Sequence, residues 1–148
     1  MRLGRFRLVG FTRGAAKCLA GNLEPLTPLV PYWLSTVTVR YAEEPSAYGG
    51  IGSPLVYAAT SLAKPYRDAM VSVYPLLLAQ TGKAIRRTLR HELAHLPTYR
   101  YQLVMEGIIS DLAGDGTDAH KALMRIVRDE AESATEDVAR IYTELQGD

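Results

Sequence analysis

Apolar and polar positions change period once along the chain. Val37, Val39 and Tyr41 alternate with Thr38 and Arg40, the period of two that a half-buried strand produces. Leu55 to Leu62 and Ala69 to Tyr74 read as two further strands, and Lys64-Pro65-Tyr66-Arg67-Asp68 between them has the composition of a hairpin connection. After Pro75 the spacing lengthens: Ile85, Leu89, Leu93 and Leu96 form the buried stripe of one helix. Pro97 is expected to end it, because a proline disfavours helical backbone at the residue before it. A second helix is expected over 99–113, closed by Gly114, and a third, capped by Asp118, reaches about Leu145.

Strands first and three helices after them predict an α+β fold with a small, mainly antiparallel sheet. Ahead of it, residues 1–30 read as a basic, Gly-punctuated arm or short helix and a connection extended by Pro25 and Pro28; the folded body, 31–148, starts at Pro31. Glu43 to Ser53 is turn-rich, and Gly49-Gly50-Ile51-Gly52 within it lacks the strand, helix and spacing of a nucleotide loop. Trp33 is expected in the core.

Composition narrows the function classes. The 148 residues are 47% apolar, enough for the core of one domain, and a net charge of +1 gives no global pull toward nucleic acid or membrane. The distribution is less even. Arg2, Arg5, Arg7, Arg13 and Lys17 precede the first acid, Glu24, whereas acids dominate from Asp129 onward. The basic start could meet an acidic partner or nucleic acid. Its apolar run, Leu8 to Phe11, is shorter than the roughly 7 to 15 residues of a signal peptide, and no stretch approaches the roughly 20 of a membrane span. A single cysteine, Cys18, excludes an intrachain disulfide. A cytoplasmic setting is expected, or a virion if the gene belongs to a phage.

The chemistry concentrates in His91-Glu92-Leu93-Ala94-His95. A zinc ion needs imidazoles that converge on one point, and a helix supplies them at spacing i, i+4. The leucine stripe lies well around the helix from His91, so one helix can bury its leucines and turn its histidines to a cleft. Glu92 then stands beside the metal as a general base for water.

With these residues the chain resembles the zincin metallopeptidases, whose His-Glu-x-x-His helix carries two zinc ligands and the base. The short length and the Thr88-Leu89-Arg90-His91-Glu92-Leu93-Ala94-His95 context look most like small metallopeptidase-like proteins of phages and mobile elements. Leu96-Pro97-Thr98-Tyr99-Arg100-Tyr101 lacks the Gly and His of the metzincins. For the third ligand the resemblance offers three residues. Glu130, first in rank, shares a helix face with Leu123, Val127, Ala134, Val138 and Ile141, and its Arg128-to-Glu132 surroundings resemble small anti-repressor-type metallopeptidases. Glu106, with Asp111 behind it, resembles the glutamate helix of thermolysin-like gluzincins. His120 resembles the all-histidine site of Spartan-type DNA-repair proteases.

The expected reaction is peptide hydrolysis with zinc as cofactor, a protein or peptide as substrate, and Glu92 taking the proton of the attacking water. The strand Ala69 to Tyr74 is expected to align an extended peptide by edge pairing. The rival is a non-catalytic zinc protein, a structural or binding component of a phage particle for example, with a closed four-ligand site.

Overall fold

The computed structural model describes residues 1–43, 56–63 and 68–146. Most of the expected loop from Glu43 to Ser53, and 64–67 of the expected hairpin connection, lie outside the described residues. The chain divides into two compact units, 1–93 and 94–148.

The first unit holds a five-stranded sheet in the order β1-β2-β3-β5-β4, made by β1 (Arg2–Leu3), β2 (Phe6–Val9), β3 (Thr36–Tyr41), β4 (Ala58–Ala63) and β5 (Asp68–Val73). The fold is α+β. The sheet is mixed where a mainly antiparallel one was expected: β1–β2 and β4–β5 are antiparallel, β2–β3 and β3–β5 parallel. Each parallel pair is joined by a long connection. Between β2 and β3 it includes the helix α1 (Arg13–Leu23) and a 3-10 turn over Glu24–Leu29. Residues 1–30, read as arm and connection, thus supply two strands and a helix of this unit. Phe6 and Leu8 are buried while Arg7 and Val9 are exposed, a period of two too short to stand out among the arginines. Arg5 donates hydrogen bonds to the carbonyls of Val30, Pro31 and Leu34, which fastens the proline-rich connection to the hairpin.

One sheet face is apolar: Phe6, Leu8, Val37, Val39, Val71 and Val73 are at most 4% exposed. Leu19 and Leu23 of α1, Leu26 and Leu34 of the proline-rich connection, Leu77 of the short α2 (Pro75–Leu78) and Ile85, Leu89 and Leu93 of α3 (Gly82–Ala113) are buried in the same unit. Trp33 is half-buried rather than a core residue.

α3 does not stop at Pro97; it runs unbroken for 32 residues, so the two helices expected on either side of that proline are one. A proline inside a helix removes one backbone hydrogen bond, at a cost of about 3 kcal/mol. Beyond the proline the helix carries Ile109, 6% exposed, and Thr98, which meets Thr135 of the following helix, and these contacts of the second unit offset that local preference. Thr98, next to the proline, donates its hydroxyl to the His95 carbonyl at 3.0 Å.

The second unit is a helical hairpin of the rest of α3 and α4 (Asp118–Gln146). Gly114 closes α3 with φ 72, the left-handed conformation a helix C-terminus favours. Thr117, one residue before the expected cap Asp118, caps α4: its hydroxyl accepts from the His120 amide at 3.1 Å. Thr98 and Thr135 join the two helices at 3.0 Å, and Glu106 pairs with Arg128 at 3.1 Å. Among the described residues no helix is long and apolar enough to cross a membrane.

Candidate metal centre

One turn of α3 carries His91, Glu92 and His95, and ligand atoms of the three lie within 4.8 Å of one another. Leu89, Leu93 and Leu96 are fully buried, whereas both histidines keep partial exposure. The division of labour expected from the sequence is present: leucines in the core, imidazoles at its margin.

Glu92 is buried, 8% exposed. A carboxylate in that position demands hydrogen-bond donors. Thr60 on β4 supplies one, its hydroxyl lying 2.7 Å from Glu92 Oε2 and 2.9 Å from the Glu92 carbonyl. β4 pairs with β5 in a register that puts Thr60 opposite Val71, on the apolar sheet face, and that places its hydroxyl against the helix.

His95 is fixed from the other side of its ring. Its Nδ1 lies 3.2 Å from the hydroxyl of Thr135, a fully buried residue of α4. Thr135 also donates to the Ala131 carbonyl one turn back, at 2.8 Å. With its one proton used there, the Thr135 oxygen can accept from Nδ1–H, the tautomer that makes Nε2 the ligating nitrogen. Nε2 lies 3.7 Å from Glu132 Oε2. That separation is too long for a hydrogen bond. It is close to the roughly 3.4 Å between two ligands that each sit about 2.1 Å from a tetrahedral zinc. Donor types and tautomer therefore fit zinc, since a ligating histidine ordinarily gives its other ring N–H to an outer partner.

The three residues ranked for a further ligand are placed elsewhere. Glu130 is exposed and belongs to no cluster of potential ligands among the described residues. Glu106 accepts from Gln102 at 3.0 Å and from Arg128 at 3.1 Å. His120 Nε2 lies 3.2 Å from Ser110 and 3.4 Å from Asp115. Sequence reasoning missed Glu132, Thr135 and Thr60. For Thr135 a signal existed: it is the one hydroxyl in the inward row Ala131, Thr135, Val138, Ala139.

The strand expected to align a peptide, β5, lies between β3 and β4, so both its edges are taken. β1 and β4 are the edge strands among the described residues. No protein-family model, no curated protein and no solved structure matches the chain.

Proposed function

We propose that the chain is a zinc-dependent metallopeptidase of the zincin type, with His91, His95 and Glu132 as metal ligands and Glu92 as general base. The observation that carries the reading is the pair of supports around the motif: Thr60 on the Glu92 carboxylate and Thr135 on His95 Nδ1. A chance histidine pair on a helix surface has no need of either. Glu132 is preferred to Glu130 because it stands at 3.7 Å from His95.

Zinc bound there supplies a Lewis acid that acidifies water toward neutrality and polarises a carbonyl. Glu92 accepts one proton of the attacking water and returns it to the departing amide nitrogen, so the C–O bond forms as the C–N bond breaks and the proton count closes. Thr60 holds the carboxylate in one orientation by its donated bond. Thr135 keeps the His95 ring from turning. An extended peptide can add to β4, whose side away from β5 pairs with no described strand. The single cysteine suits a cytoplasmic setting.

A closed structural site is the second reading, and one observation favours it: the Glu92 carboxylate lies in the same cluster as the two imidazoles and could itself bind the ion. Glu92→Gln separates the two. As a base, Glu92 is dispensable for zinc, so the variant retains metal and loses cleavage of a mixed peptide library read by mass spectrometry. Cleavage at the wild-type rate would refute the mechanism, and loss of zinc would favour the closed site.

A further inference from the structure

Alternation gives the sheet a second face, and that face is cationic. Arg2 of β1 stands directly opposite Arg7 of β2 in the antiparallel register, and Arg7 is level with Thr38 of β3. Arg40, two residues further along β3, points the same way, and its Nε donates to the Ser72 hydroxyl of β5 at 3.2 Å. All three arginines are exposed. From a strand separation of about 4.8 Å and a rise of about 3.3 Å per residue, Arg7 and Arg40 lie about 8 Å apart at the backbone. The three guanidinium groups thus stand on neighbouring points of one rigid grid.

Like charges directly opposite each other weaken strand pairing. Nothing among the described residues offsets this, because none of the three arginines forms an ion pair there. Arg5, the other base of this hairpin, is used differently, on backbone carbonyls. The acid on the cationic face is Asp68, level with Thr36 at the opposite end and accepting a bond from Ser35.

We propose that this face, through Arg2, Arg7 and Arg40, binds the phosphodiester backbone of nucleic acid. Three features select that ligand. The cations are all arginines, whose planar forks match phosphate oxygens in pairs. Thr38, level with Arg7 and two residues from Arg40, adds a hydroxyl beside them, a usual companion of arginine at phosphate. No aromatic residue of the described strands shares the face, so it has no stacking platform for bases. Binding is therefore independent of base sequence. The proposal stands apart from the metal site, since the face needs no zinc.

The test is fluorescence anisotropy of a labelled DNA duplex and of the matching single strand, with the metal-free 148-residue chain, as salt is raised. Three phosphate contacts give a slope of about −2.7 in log affinity against log salt for duplex, which is about 40-fold weaker binding at ~200 mM than at ~50 mM. Arg2→Gln, Arg7→Gln and Arg40→Gln each reduce the slope by about 1, whereas Lys121→Gln in the helical hairpin leaves it unchanged. Arg7→Lys keeps the charge and the slope. No binding at ~50 mM salt, or an Arg7→Gln slope equal to wild type, would overturn the proposal. Tighter retention on anionic phospholipid vesicles than on either DNA would overturn the choice of ligand.

Discussion

The account of His95 makes a quantitative demand on Thr135. Its hydroxyl has three partners: the Ala131 carbonyl at 2.8 Å, Thr98 at 3.0 Å and His95 Nδ1 at 3.2 Å. Thr135→Val keeps the shape of a fully buried side chain and removes only that oxygen. The Nδ1–H group then loses its acceptor, and the ring is free to adopt the other tautomer or turn. Loss of such an outer partner lowers metal affinity by about 10- to 100-fold, or about 1.4 to 2.7 kcal/mol at about 1.4 kcal/mol per tenfold change. Folding of the metal-free protein suffers separately, by about 1 to 3 kcal/mol, because Thr98 and His95 lose a shared partner in a buried place. The two effects are read by different assays: zinc competition against a chromophoric chelator for the first, urea denaturation without metal for the second. Thr135→Ser restores the hydroxyl and should recover most of the zinc affinity. A folded Thr135→Val protein that binds zinc as tightly as wild type would refute the tautomer argument.

Other substitutions probe the rest of the site. Glu132→Ala should weaken zinc binding at least 100-fold in the same competition assay, while Glu130→Ala changes it less than threefold, factors of the size that loss of a ligand or of a bystander produces (~3 kcal/mol against ~0.6 kcal/mol). Thr60→Val should lower kcat of peptide hydrolysis about 10-fold with KM nearly unchanged, and Thr60→Ser should restore it, the split expected of a residue that orients the base. Leu89→Ala, at a position 0% exposed, should destabilise the sheet unit by about 2 to 5 kcal/mol in urea denaturation.

The motif and its leucine stripe were legible because both obey one local rule, the helical period. His91, Glu92, His95, Ile85, Leu89, Leu93 and Leu96 needed no tertiary information. Pro97 misled for the same reason. Its preference is local, and the burial of Leu96 before it and Ile109 after it is not. Glu130 and Glu132 show a different limit. The inward row of α4 runs through Met124, Val127, Ala131, Thr135, Val138 and Tyr142, all buried or half-buried, and the two glutamates flank Ala131 on opposite sides. Periodicity identifies the inward row but not which flank turns toward His95. Strand order was hidden likewise: β4 and β5 are adjacent in sequence, yet only their pairing with β3 or with nothing decides which can receive a peptide. Residues 2–9 escaped because four residues of alternation, Phe6 to Val9, carry too little signal beside a run of bases.

The central claim is that His91 and His95 hold one metal ion, and zinc titration of the metal-free protein against a chelator of known affinity tests it most directly. One zinc per chain is predicted, tight enough to compete with a nanomolar chelator, and its loss in a His91→Ala/His95→Ala double variant that keeps its helical circular dichroism. A wild-type protein that takes up no stoichiometric zinc, or a double variant that binds it as tightly, would contradict the account.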